Sequence, residues 1–536
     1  MVDYIIKANT IIFSPKYNEH IDPNFVFPYK KIIFSNYKLV EYLFYRYELN
    51  IINEFNNSDD LKEIYDLYDM ENLTLKLSEF NCPIDKLPEH ITHLTFGYSF
   101  NNSVDKLPKS LIHLTFGNSF NNSVDNLPKS LIHLIFGNSF NQSVNNLPEH
   151  LTYLIFGWKF NCLVDNLPTQ LTHLTFGFNF NQPVDNLPSE LIQLTFDLKF
   201  NQSVNNLPNK LIKLTFGQDF NYPVNNLPKH ITQLSFGHEF NHPINNLPRY
   251  ITHLTFGNAF NQSVNNLPEI LTHLTFGAYF NQPVNNLPHT LIHLTFGQDF
   301  NHPIDNLHPT LIHLILDDYF NHPVNNLPHT LIHLIFGYCF NYQVNNLPHT
   351  LTHLTFGYIF NQQVDNLPHT LTHLTFGHTF NQIVDNLPNT LTHLTFGHTF
   401  NQTVDNLPNT LTHLTFSYNF NKRVNLPFNI KYLKLDCNNQ YLIDNLPDGI
   451  EKLELDFNFD LELTNLPITI KSIIFHYVSI FNKELNCLPN FVESIQLPYN
   501  YTKKISKIPK ELKQIICCKN YKFIKDFDNY SVKNYY

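Results

Sequence analysis

The sequence predicts a repeat solenoid: a parallel β-sheet that gains one short strand per 20-residue coil, with a small capping region ahead of it. Three observations predict it. The segment LPEHITHLTFGYSFNNSVDK, which begins at Leu87, restarts at Leu107 and keeps its 20-residue register to Leu407. The apolar positions of the first coil are Leu87, Ile91, Leu94, Phe96, Phe100 and Val104. Their spacing fits neither a helix nor a long strand, but it fits a polygon whose sides all face inward. One coil of this size cannot bury its own apolar face, so coils must stack on one another and the two ends need covers.

Residues 1–70 hold the aromatic stretch VEYLFYRYELNII and an acidic, helix-like run, SDDLKEIYDLYDM, and are expected to form a partly helical N-terminal cap. Regular coils fill 71–425. The Leu-Pro starts continue at Leu426, Leu446, Leu466 and Leu488 and end at Ile508-Pro509, so 426–515 reads as decayed coils that close the other end, and 516–536 as a tail.

Within a coil, Leu94 and Phe96 alternate with His93 and Thr95, which predicts a strand with the first pair inside and the second outside. Pro108, after Leu107, fixes φ and lacks a donor, which suits a corner outside the sheet. Gly97 should end the strand, either because φ is positive there or because the next backbone is close. Asp197, Asp317 and Ser417 replace this glycine, and the two aspartates are consistent with a left-handed backbone. Asn101 begins an unbroken Asn column to Asn421, whose amides can bond to each other and to turn backbone. Some of these asparagines sit in glycosylation sequons, but the Asn recurs whether or not Ser or Thr follows, so its role is structural.

Composition limits the partners. Hydrophobic residues make up 43% of the chain, enough for a packed core, and the formal charge of −11, with no basic stripe in the regular coils, disfavours a nucleic-acid backbone as main partner, so none is expected. The seven cysteines form no CxxC pair and no zinc or disulfide spacing. The N-terminus lacks a secretory pattern and no apolar run is long enough to span a membrane, so a cytoplasmic protein with no membrane partner is expected. No Walker loop, GxGxxG, GxSxG or HExxH is present, and Asp and His recur by repeat rather than by convergence. No enzyme activity, cofactor or metal is expected.

The column at His93 and His113, running on to His253 and His413, is interrupted by Tyr153, Gln193, Lys213 and Gln233. The Gln and Tyr substitutes favour a stackable polar slot. A flat ladder lacks the convergence of a zinc site. Protonating all 29 His would carry the charge from −11 to +18, so a ladder of like charges should depress its own titration, and mild acid should weaken the fold. Because the 93 and 95 positions share one face, that face is the expected binding surface. Its variation is concentrated between Tyr153 and Ser235, next to the only tryptophan, Trp158.

The unit L-P-x-x-L-T-H-L-T-F-G-x-x-F-N-x-x-V-D-N resembles the FNIP repeat, a leucine-rich-repeat relative expanded in giant DNA viruses and social amoebae. The stretch that names it is clearest at Phe240-Asn241-His242-Pro243-Ile244 and Phe300-Asn301-His302-Pro303-Ile304. The resemblance covers about 87–425 strongly and 426–515 weakly. It implies a leucine-rich-repeat-like scaffold for protein interaction, located in the host cytoplasm if the protein is viral. Many relatives carry an F-box ahead of the repeats, which implies an alternative role as substrate receptor of a ubiquitin ligase. Residues 1–70 lack the early Leu-Pro and three-helix pattern of an F-box. A passive polymer-binding or packing protein is the third reading.

Overall fold

In the computed structural model, residues 4–7, 10–13, 30–34, 79–84, 87–404 and 406–534 are described. The chain divides into two units, Met1–Leu271 and Thr272–Tyr536. In both units the coil is the same: a corner, a strand of three or four residues, and two further turns back to the next corner.

The first unit opens with a hairpin. Strand β1 (Tyr4–Lys7) pairs antiparallel with β2 (Thr10–Phe13), and β2 pairs parallel with β3 (Lys31–Phe34). Strand β3 then pairs parallel with β4 (His93–Thr95), so the described part of the N-terminal region adds strands to the sheet. The run at 58–70 that the sequence reads as helix, and with it the F-box question, lies outside the described residues. From β4 the strands follow once per coil to β12 (His253–Thr255). Each is displaced by 20 residues from its neighbour, as in His93↔His113, Leu94↔Leu114 and Thr95↔Thr115.

The second unit carries β13 (His273–Thr275) to β20 (His413–Phe416) in the same register. It continues through five decayed coils, β21 (Tyr432–Leu435) to β25 (Gln514–Cys517), and ends on β26 (Ser531–Asn534). A five-residue helix, α1 (Gln440–Asp444), stands in the first decayed coil, where Asn439 caps it.

The sheet is latched at both ends of each strand. Ile112 and His113 both donate their N–H to the Thr92 carbonyl, at 2.8 and 3.0 Å, and Phe96 donates to the Thr115 carbonyl at 2.9 Å. The corner is closed by the Leu111 N–H donating to the Pro108 carbonyl at 3.2 Å, so proline's missing donor is never needed. All six inward positions of the first coil are buried. Phe96 and Phe100 stack on each other at 3.8 Å and on their equivalents in the next coil at 5.7 and 6.1 Å, which fills the interior with two columns of phenylalanine. Fully burying one such ring contributes about 1.5–3 kcal/mol.

The Asn column does what its chemistry permits. Asn101 Oδ1 accepts the Asn121 N–H at 2.9 Å, and the pattern repeats up to Asn401 Oδ1 and the Asn421 N–H at 3.0 Å. It begins one coil earlier than the sequence suggests, at Asn81.

The glycine at the strand end is there for close approach alone. No described glycine has positive φ, and the one non-glycine that does is Asn465. A Cβ on Gly117 would overlap the Gly97 carbonyl, and one on Gly377 would overlap that of Gly357. The left-handed explanation of Asp197 and Asp317 is therefore corrected. Asp197 instead turns its carboxylate onto the Leu198 N–H at 2.8 Å. Ahead of Asp317 and Ser417 the strand runs four residues rather than three, as it does ahead of Gly337 and, in the decayed coils, ahead of Asp436, Asp456 and His476.

Candidate interaction face

The outward positions of the strands make the candidate site. In the first unit His93 and His113 stack at 4.2 Å, His113 meets His133 edge-on at 4.3 Å, and Tyr153 sits between His133 and His173 at 5.2 and 5.7 Å. Parallel pairing carries the line on through Gln193, Lys213 and Gln233 to His253. Thr95 and its equivalents form a second line beside it. These side chains are mostly half-exposed, because each is flanked by its neighbours on adjacent strands. Trp158 does not join the line. It lies past the strand, 42% exposed, and stacks on Phe178 at 5.5 Å, with Lys199 Nζ 6.0 Å from the same ring.

In the second unit the ladder is unbroken from His273 to His413, with ring centroids 4.0–4.4 Å apart. The sequence reading missed the residue before each histidine. Thr372 Oγ1 donates to the Thr352 carbonyl at 3.1 Å, and the same oxygen lies 2.9 Å from His373 Nδ1. Thr392 and Thr412 repeat both contacts with His393 and His413. A hydroxyl has one proton, so once it is given to the carbonyl, Nδ1–H of the imidazole must donate to Oγ1. That fixes the tautomer and leaves Nε2 as an acceptor on the outer edge. The signal was present as Thr-His in some coils and Ile-His in others.

Burial, and then the charges of neighbouring imidazoles, lower the titration of the ladder. His393 is pushed down to about 4, first by burial and then by His413, His373 and His353. His133 is pushed down to about 4 in the same way, by burial and then by His113 and His173. His313 and His353 are lowered by the same causes. Among the described residues no group of three or more His, Cys, Asp or Glu is placed to hold a metal ion.

Beside the ladder runs an open groove of about 900 Å³, floored by Ile292, Ile312 and Ile332 and walled by Thr310, Thr330 and Thr350. Past His413 the face becomes ionic. Glu451 lies between Lys431 and Lys471 at 3.3 and 2.7 Å, and Lys434 bridges Glu454 and Asp456 at 2.9 and 2.8 Å. No described helix is long and apolar enough to cross a membrane.

The family model of the FNIP repeat matches the chain twelve times, together covering residues 80–339, 341–419 and 438–478. Among solved structures, the chain is similar to CroV588, a circular LRR protein from a giant virus. The two are 31% identical over 99% of this chain and 100% of that one, with a TM-score of 0.64. It is also similar to YopM from Yersinia enterocolitica, at 17% identity over 90% of this chain and 100% of that one, with a TM-score of 0.40. InlJ from Listeria monocytogenes follows at 12% identity, over 64% of this chain and 72% of that one, with a TM-score of 0.36. No curated protein sequence matches the chain.

Proposed function

Because the chain belongs to the FNIP repeat family, we propose that it is a non-enzymatic scaffold for protein–protein interaction, binding through the outward face of its strands. The observation that carries this reading is where the variation falls. Inward positions repeat coil after coil, whereas the outward line of the first unit departs from His only at Tyr153, Gln193, Lys213 and Gln233. Gln193, Lys213 and Gln233 lie in registered, neighbouring strands, Tyr153 lies two strands before Gln193 across His173, and near them Trp158 presents a large exposed ring of the kind that anchors interfaces. A cytoplasmic setting belongs to the same reading, with the cysteines kept as thiols.

The test is quantitative affinity capture from the source cell. The bait is compared with a variant carrying Tyr153→His, Gln193→His, Lys213→His and Gln233→His, which restores the repeat and leaves every inward position alone. The reading expects specific partners to fall by about tenfold or more with the variant. Unchanged recovery would remove the face from consideration.

A further inference from the structure

The second unit contains a charge pattern that stacking and packing alone do not require. From Thr272 to Asn421 there is no Lys or Arg at all, while the same stretch carries seven Asp and 17 His. The cations resume at Lys422 and Arg423, where the repeat decays. Through this block the outward strand positions are His, Thr and Ile only, from His273 and Thr275 to His413 and Thr415.

The hydrogen-bond geometry gives that face a direction. At His353, His373, His393 and His413, Nδ1 lies 2.7–2.9 Å from the preceding threonine hydroxyl. For the last three, the hydroxyl proton goes to the carbonyl of the previous coil at 3.1 Å. Nε2 is then the free acceptor of each ring, and the rings are stacked 4.0–4.1 Å apart from His353 to His413. The face therefore offers a closely spaced row of neutral acceptors within a stretch, 272–421, that carries acidic residues and no Lys or Arg. Resting on the scaffold reading above, we propose that the His353–His413 face binds a Lys- or Arg-rich segment of a partner protein, whose ammonium or guanidinium N–H groups donate to the Nε2 row.

Charge complementarity favours this occupant over an acidic one. Hydrogen bonds to a charged donor are stronger than neutral ones, and a guanidinium offers several donors in a rigid fork. An acidic segment would meet a line of lone pairs. The groups facing the ladder are its own imidazoles, the threonine hydroxyls, and at one end Tyr432, 5.4 Å from His413, and Lys452, whose charge lowers the His413 titration after burial does. At neutral pH the acceptor form prevails, since burial and neighbouring imidazoles hold His393 near 4 and lower His353 and His373 as well. In acid the pattern inverts. Each protonated Nε2 becomes a charged donor, and full protonation would take the 272–421 block from −7 to +10. The contact would then open on acidification.

The experiment is fluorescence anisotropy of a labelled octa-arginine peptide on the full-length protein at physiological salt, with octa-glutamate as the anionic counterpart. Two variants accompany it. One carries His353→Gln, His373→Gln, His393→Gln and His413→Gln, a residue the same strand position already holds at Gln193 and Gln233. The other carries Asp365→Asn and Asp385→Asn, which removes charge away from the ladder. Expected is binding of octa-arginine at pH 7.5 that weakens by about tenfold or more as the pH falls to 4 and below, where His393 takes up its proton. The Gln variant keeps neutral acceptors in its amide oxygens but has no imidazole to protonate, so it should bind at pH 7.5 and lose the pH dependence, with the Asn variant keeping both. Binding by the Gln variant that still weakens in acid, a loss seen mainly in the Asn variant, tighter octa-arginine binding in acid, or preference for octa-glutamate at pH 7.5 would each overturn the proposal. None of these results bears on the Tyr153–Gln233 variant, so the scaffold reading stands or falls separately.

Discussion

The side-chain oxygen of Asn361 accepts the backbone N–H of Asn381 at 2.9 Å, and Asn381 in turn accepts that of Asn401 at 2.9 Å. The coil thus carries its own connector, and the backbone donor it satisfies lies in a turn that no strand can reach. Gln402 adds to it, donating from Nε2 to the Asn381 carbonyl and side-chain oxygens at 3.1 and 3.3 Å. Replacing Asn381 by Ala removes two of these acceptances and should cost about 1–3 kcal/mol by urea unfolding. Asn381→Asp keeps an accepting oxygen and should cost less. Equal losses for the two would show that acceptance is not what the column supplies.

Close backbone approach, with no left-handed turn, makes a sharp prediction for Gly377. A Cβ there would overlap the Gly357 carbonyl oxygen, so Gly377→Ala should force the two coils apart and cost about 1–3 kcal/mol as overpacking does. Stability indistinguishable from wild type would mean that the neighbouring carbonyl yields freely.

Phe380 is fully buried and stacks 3.8 Å from Phe376 and about 6 Å from Phe360 and Phe400. Phe380→Ala opens a cavity in both phenylalanine columns and should cost about 3–5 kcal/mol, with Phe380→Leu costing clearly less. Calorimetry of the two variants measures the difference, and similar losses would contradict the packing account.

Acid should destabilise the ladder. An unfolded imidazole titrates near 6.5, while burial and then His413, His373 and His353 hold that of His393 near 4. Between those values the unfolded chain binds the extra proton. The stability is therefore fully present above about pH 6.5 and is lost as the pH falls through that window toward 4. Melting temperatures should drop between pH 7.5 and pH 5.0 and drop less in the His353→Gln, His373→Gln, His393→Gln and His413→Gln variant. Superimposable curves for the wild-type protein would reject this.

Much of the coil was legible because each inward residue is reported many times over. Leu94 and Phe96 could be placed inside, and His93 and Thr95 outside, from alternation alone. Gly97 could not be settled, since a positive φ and a close neighbour both demand the loss of Cβ, and only the position of the next coil distinguishes them. Strands β1 to β3 were not foreseen because residues 1–70 repeat nothing, and a four-residue strand such as Thr10–Phe13 leaves too short a pattern. The partnership of Thr372 with His373 was visible as a dipeptide, yet its meaning depends on the carbonyl of Thr352, a full coil away.

The central claim, that the outward strand face is where partners bind, is most directly tested by site-specific photocrosslinking in extract of the source cell. A crosslinking residue is placed at Lys213 on the face, and in a separate protein at Leu163, which is 56% exposed but lies outside the strand. The account predicts discrete adducts from position 213 and none of the same mass from position 163. The same adducts from both positions, or adducts from 163 alone, would contradict it.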